Sequence, residues 1–472
     1  MSKEVIDVGS RRELFVDHFL IEELAGTQLK LQRPQLAEVA IRYDQPQENI
    51  FSFYGTVLKD GDTYRMYYRG NSSTCCAESR DGINWTKPDL GLFPVNGSTR
   101  NNIILDKGRA FTPFIDTQPG VSSEERYKAT ETEKPGLAGY VSADGLRWRR
   151  VCNNPIIPTT LENNFDSMNV IFWSQAENCY VLYARHMEGG RRSTARATST
   201  DFLSWSDQTL MTYSDTGTTT PSEHLYTNQT QPYFRAPHIY VSLAARILFA
   251  DVRHIVREDD IAEARRRTSA VTPEMLNFFK NHVDESAGAP GDIADGVFLT
   301  TRAGSTCFDF TFKESFVRPG IGLNNWTTRN NYPGCGVVQT GPAEMSFYLQ
   351  RDYAQKTAHV QRLTLRVDGF TSVHAPYEGG EMQTRPMTFS GRELEINYST
   401  SAAGNLRVEI QDASGQPIPG FTLAECPEIY GDHIERIVVW KNGSDVSRLA
   451  NQPIRLKFAL KDADLYSIRF QT

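Results

Sequence analysis

A chain of 472 residues that is 39% hydrophobic and 23% charged has room for more than one globular unit and is neither disordered nor fibrous in composition. Its net charge of −7 offers no basic field to nucleic acid or an anionic membrane surface, and no run of 18 apolar residues occurs. Seven scattered cysteines, with no Cys-x-x-Cys or Cys/His ligand spacing, argue against a zinc site and fit a reducing compartment. The first residues carry no apolar signal core, so the expected location is the cytoplasm.

The predicted elements are almost all strands. Residues 12–23 form an apolar strand. Residues 51–59 and 63–68 flank Asp60-Gly61, a strong hairpin signal. A third strand then runs into Ser79-x-Asp81-Gly82-x-x-Trp85. The same order returns twice. Strands at 110–116, 126–129 and 139–141 lead to Ser142-x-Asp144-Gly145-x-x-Trp148, and strands at 166–173 and 180–185 lead to Ser199-x-Asp201-Phe202-x-x-Trp205. Thr301-Arg302-Ala303-Gly304-Ser305 and Arg366-Val367-Asp368-Gly369-Phe370 are worn copies. Spacing of about 60 residues suits a four-stranded sheet, and such sheets repeated radially make a propeller. Five copies predict five blades. The strand at 12–23 is expected to complete the last blade and close the ring.

One interval is longer, about 100 residues. It falls between strands at 239–243 and 296–300, and residues 259–282 within it read as helical. The expected insertion spans about 255–290, in blade IV. After residue 378 the repeat ends. Alternating strands at 394–398, 406–410, 437–440, 454–458 and 466–470, separated by turns such as Asn442-Gly443, predict a small antiparallel β-sandwich. The fold class is therefore all-β: a five-bladed β-propeller over 1–378, with the helical insertion, followed by a β-sandwich over 379–472.

In a propeller the inner strands line one axis, so residues at equivalent strand starts converge although they are distant in sequence. Blade I offers Glu48, blade III Asp166, blade IV Glu223 with His224 and Tyr226, and blade V Arg329 with Asn330. Asp116 stands at the far end of the blade II strand. Glu48, Asp166 and Glu223 are the candidate catalytic carboxylates, because glycosidic cleavage needs one protonated and one ionised carboxyl. His224, Tyr226, Arg235, His238, Trp326, Arg329, Asn330 and Asp116 are the candidate substrate-binding residues. The aromatics among them are candidate sugar platforms, and Arg329 is a candidate ligand for hydroxyls or a sugar carboxylate. No metal and no cofactor is expected.

The Ser-x-Asp-Gly-x-x-Trp copies and the propeller-then-sandwich order resemble the five-bladed glycosidases. These are the invertases and fructanases of glycoside hydrolase family 32, the arabinofuranosidases and xylosidases of family 43, and the anhydrogalactosidases of family 117. The resemblance implies a glycoside hydrolase acting from the end of a small oligosaccharide or glycoside, with carbohydrate as the small-molecule partner and homo-oligomerisation open. None of family 32's Asn-Asp-Pro-Asn-Gly, Arg-Asp-Pro or Glu-Cys motifs stands at a matching place, since Glu425-Cys426 falls in the sandwich. The carboxylates also fall in blades I, III and IV rather than in the first three. Two alternatives stay open: a five-bladed phosphorylase of the mannoside type, with Arg235, His238 and Arg329 as a phosphate nest, and a non-catalytic carbohydrate-binding propeller.

Overall fold

A computed structural model describes residues 5–108, 110–159, 164–250, 291–322, 325, 326, 329–353 and 355–471. The chain divides into two compact units, one of Pro34–Thr364 and one of Met1–Arg33 with Leu365–Thr472.

The first unit is a five-bladed β-propeller. Its innermost strands are Phe53–Asp60, Thr112–Ile115 and Val170–Ser174 in blades I to III. Blades IV and V have broken inner strands, His224–Thr227 with Thr230–Tyr233, and Tyr332–Pro333 with Val338–Gln339. Each pairs antiparallel with a second strand: Thr63–Arg69, Tyr127–Glu133, Cys179–Glu188, Ala236–Ala250 and Glu344–Arg351. These strands are buried on both faces, because blade packs on blade, and Tyr67, Val181, Tyr183 and Tyr240 are wholly enclosed.

The repeated turn has one hydrogen-bond pattern in three blades. In blade II the Ser142 hydroxyl accepts from the Gly145 amide (2.9 Å), and Asp144 Oδ1 accepts from the Leu146 and Arg147 amides (2.8 Å each). The Trp148 indole donates to the Gly145 carbonyl at 3.0 Å. Blades I and III repeat the pattern through Ser79, Asp81 and Trp85, and through Ser199, Asp201 and Trp205. The short side chains satisfy backbone donors that a tight turn would otherwise strand. The fourth position needs a left-handed backbone, φ +74° at Gly145. A Cβ there would also meet the Tyr67 hydroxyl at 2.7 Å. Blade III puts Phe202 in that slot at φ +69°. The strain of about 1–2 kcal/mol is offset by about 1.5–3 kcal/mol from burying the ring, which is 1% exposed against Phe114 and Tyr180.

The ring is closed differently from the expectation. The outer strand of blade V is Gln35–Arg42, which pairs with His359–Arg366. Blades I and V also meet through their inner strands, where the Val57 amide donates to the Cys335 carbonyl (2.7 Å) and the Cys335 amide to the Gly55 carbonyl (2.8 Å). That approach requires Gly336, where a Cβ would lie 2.1 Å from the Val57 carbonyl oxygen. The segment between the second and third strands of blade IV leaves a continuous ladder, from Ile239 opposite Arg302 to Ala250 opposite Gly291. The expected helical insertion at 255–290 lies outside the described residues.

An ion pair between blades makes an acid-sensitive joint. The Arg126 guanidinium and the Tyr127 hydroxyl both donate to Asp60. The Arg126 hydrogen bonds, against the opposing effect of burial, hold the Asp60 carboxyl down to about 2. A depressed carboxyl contributes stability that is present above its ordinary value of 3.8 and lost as pH falls through the folded one. Denaturation midpoints should therefore fall more between about pH 4 and about pH 2 in the native chain than in Asp60→Asn. Parallel acid limbs in the two proteins would refute the assignment.

The second unit is a ten-stranded sheet. Two long strands, Glu393–Asp412 and Ile454–Gln471, form its spine and shift register between Thr400 and Asn405. Their two arms share one apolar core that includes Leu394, Val408, Phe458 and Trp440. The N-terminal strand belongs here and does not close the propeller. Arg12–Leu14 pairs with Ile454–Gln471, and Phe15, Leu20 and Ile21 join this core. An apolar strand does not reveal which sheet edge it completes. The Arg366-Val367-Asp368-Gly369-Phe370 segment is likewise not a blade turn. Its left-handed residue is Asp368 (φ +64°), whose carboxylate accepts from Ser467 Oγ and Asn397 Nδ2.

Candidate active site

The antiparallel register brings the start of each inner strand beside the end of its second strand. Five chain crossings therefore meet at one end of the propeller axis. Backbone strain concentrates at the same places. Tyr54, Phe165, Gln229, Arg329 and Asn331 all hold left-handed φ values, between +49° and +61°. Non-glycine residues pay about 1–3 kcal/mol each for such conformations, which persist mostly at functional sites.

Asp166 precedes the blade III inner strand. Its side chain is 45% exposed, and its Oδ2 lies 3.3 Å from Arg185 Nη2. Arg185 is enclosed, and its guanidinium stands 5.5 Å from the centre of the Tyr226 ring. Arg192, on the returning strand of the same hairpin, stands 5.3 Å from that ring. The Arg192 amide donates to His224 Nδ1 at 3.4 Å, which leaves the proton of a neutral imidazole on Nε2. Burial, then Arg192 and Arg191, lower the His224 pKa, so the ring is neutral near pH 7. The Ser167 hydroxyl donates to the Tyr226 carbonyl at 3.0 Å and locks the two strand starts together.

The cluster continues toward blades I and V. The Tyr54 hydroxyl is 3.5 Å from that of Tyr226, and the Tyr226 ring packs 5.1 Å from Tyr332. Burial pushes the Tyr54 phenol well above its ordinary range, so it remains neutral. Arg329 donates to the Tyr353 hydroxyl at 3.4 Å, and Tyr353 packs on Phe51 and Phe53. Arg69, at the end of the blade I second strand, stands 5.4 Å from the Phe53 ring.

The structure thus gathers Asp166, His224, Tyr226 and Arg329, with Asn330 buried beside Arg329. Tyr226 is only 7% exposed, so its ring supports guanidiniums and presents no face for a sugar. Glu223 shares this end of the axis and is 30% exposed, but it turns to Arg246 (2.9 Å), which also holds Asp295. Trp326 is exposed and donates to the Gly320 carbonyl.

Three candidates are placed elsewhere. Asp116 follows the blade II inner strand at its far end, enclosed by Lys128, the Tyr180 hydroxyl (2.6 Å) and the Gln118 amide (2.9 Å). Arg235 and His238 flank the turn after Tyr233, on the order of 25 Å from His224 along the strands. These three lie toward the other end of the axis, where the inner strands border a cavity of about 390 Å³ lined by Lys59, Ile115, Phe172, Phe234 and Gln339. A phosphate nest combining Arg235 and His238 with Arg329 is therefore ruled out by strand direction.

Glu48 is the fourth correction. Its side chain is 0% exposed. It accepts from the Asp44 amide (2.8 Å), the Gln45 amide (3.0 Å), Lys87 Nζ (2.7 Å) and the Tyr68 hydroxyl. Those bonds fix the loop before blade I and engage both oxygens of the carboxylate. Among the described residues no group of three His, Cys, Asp or Glu side chains could hold a metal ion.

No protein-family model matches the chain. It is similar to Rv1502, an uncharacterized protein of Mycobacterium tuberculosis, at 29% identity over 109 residues, which cover 21% of this chain. The match spans 33% of that relative's length. Among solved structures, a family 43 arabinoxylan arabinofuranohydrolase from Bacillus subtilis superposes with a TM-score of 0.42 at 10% identity, covering 92% of this chain and 99% of that one. A fructofuranosidase from Schwanniomyces occidentalis gives 0.38 at 9% identity, covering 92% and 98%. An exo-inulinase from Aspergillus awamori gives 0.38 at 11% identity, covering 93% and 99%.

Proposed function

We propose that the protein is a glycoside hydrolase that works at the axial end where the inner strands begin. One observation carries this reading. Of the three carboxylates that sequence reasoning named, Asp166 alone is half open, oriented by an enclosed arginine, and set among the converging strand starts. Asp166 acts at the anomeric carbon, as nucleophile or as the base that activates water. Glu223, the next exposed carboxylate at the same end, gives the proton to the departing oxygen. His224, neutral and donating from Nε2, binds a substrate hydroxyl. A site ringed by strand starts suits the end of a small oligosaccharide or a simple glycoside, which makes the enzyme exo-acting.

A panel of aryl glycosides and short oligosaccharides, run with and without inorganic phosphate, tests the proposal. Turnover without phosphate is expected. Glu223→Gln should slow poor leaving groups by about 10²–10⁴-fold and spare activated aryl groups, because only the former need a proton in the transition state. Equal slowing of both classes would remove the acid role from Glu223. Turnover only with phosphate would replace hydrolysis by phosphorolysis.

A further inference from the structure

Asp166 stands at the tip of a turn that one side chain holds shut. The Ser167 amide donates to the Phe165 carbonyl at 2.7 Å, which closes a three-residue turn with Asp166 at its centre. Asn169 Nδ2 donates to the carbonyls of both residues that flank Asp166, to Phe165 at 3.0 Å and to Ser167 at 2.7 Å. Asn169 Oδ1 accepts from the Arg185 amide at 3.2 Å. The amide's orientation follows from these partners, since only its nitrogen can donate to carbonyls. One side chain thus fixes the chain before and after the candidate carboxylate, and the backbone of the arginine that pairs with it. Blade II braces the same turn. The Thr130 hydroxyl donates to the Asn169 carbonyl (3.0 Å), and the Thr132 hydroxyl to the Phe165 carbonyl (2.8 Å). Phe165, at φ +61°, buries its ring in a core shared by blades II and III.

Resting on the hydrolytic reading above, we propose that Asn169 is a positioning residue for Asp166. Asn169 is wholly enclosed, so it acts through the turn and does not touch substrate. The Asp166 side chain is half open to solvent. Such a group keeps one direction only if the backbone beneath it is rigid. A reacting group misplaced by about 1 Å can lose about 10²-fold in rate. Arg185 orients the carboxylate at its oxygen, and Asn169 sets the backbone from which both side chains start. Alanine at 169 would remove all three bonds at once.

The test is steady-state kinetics on the best aryl glycoside of the panel for four full-length chains: the parent, Asn169→Ala, Asp166→Asn and the double variant. Rates are referred to folded protein, with a thermal midpoint measured beside each. Asn169→Ala should lower kcat by about 10²-fold and leave KM within about threefold, because the carboxylate is needed in the transition state more than in binding. In the Asp166→Asn background the same substitution should cost less than about threefold, since residues that act as one unit are not additive. Asn169→Ser, whose hydroxyl can still donate to one of the two carbonyls, should fall between alanine and the parent. It carries the test if the alanine chain does not fold. Equal fold losses in both backgrounds would show a role apart from Asp166 and overturn the inference. So would a parent-like kcat in Asn169→Ala, or a loss confined to KM. With Asp166→Asn inactive, those outcomes leave the hydrolytic reading standing. An active Asp166→Asn chain, or a parent that turns over no glycoside of the panel, removes the role of Asp166 and this inference together.

Discussion

Asp166→Asn should reduce kcat/KM by a factor of about 10³ or more while leaving the fold intact. By transition-state arithmetic that loss is about 4 kcal/mol. The stability change should be under about 1 kcal/mol, the range of solvent-reached ion pairs. The asymmetry follows from position. The Asp166 side chain is 45% exposed, so little of the fold depends on its charge. The amide keeps an oxygen for the enclosed Arg185. What asparagine lacks is the charge and basicity that attack on the anomeric carbon, or activation of water, requires. Kinetics on the best substrate of the panel, beside a urea midpoint, separate the two effects. An active Asp166→Asn protein would exclude Asp166 from the chemistry. An inactive one that had also lost several kcal/mol would show that Asp166 is structural.

The fold was legible where side chains replace backbone partners. Ser142, Asp144 and Trp148 each bond a backbone group of their own turn, and the bonds repeat in three blades. Strand edges were less legible. Residues 12–14 and 35–42 are both short strand signals, and only tertiary packing decides which one closes the propeller. The candidate site was half legible. Aligning inner strand starts named Asp166, Glu223 and Arg329 together, because strand starts share an end of the axis. It missed Arg69, Arg185 and Arg192, which stand on second and third strands. Pairing Val170 with Tyr183 across the hairpin would have placed Arg185 beside the strand start. The alignment also gave no measure of depth, so Glu48, which shares the position of Asp166 in its blade, looked equivalent while lying wholly inside. Asp44 and Gln45, four and three residues before it, carried a signal of their own: a carboxylate at that spacing caps the amides of a turn.

Glu48 gives the sharpest contrast with Asp166. Glu48→Ala should destabilise the propeller by about 3–5 kcal/mol, the range for breaking a buried ion pair from one side. The Lys87 ammonium would lose its enclosed partner and keep the Arg42 carbonyl and Asp44, whose side chain is 58% exposed. The Asp44 and Gln45 amides and the Tyr68 hydroxyl would lose their acceptor together. Glu48→Gln retains one acceptor oxygen and should cost about 1–3 kcal/mol, the range for an unmatched buried polar group. The thermal midpoint of the alanine variant should fall by about 5–10 °C, scaled from the size of the domain. Turnover per folded molecule should stay within about threefold of the parent, since such an effect is under 1 kcal/mol in the barrier. An opposite result, with the fold unchanged and turnover abolished, would return Glu48 to the reacting groups. It would also require the loop before blade I to open, because the Glu48 side chain is 0% exposed.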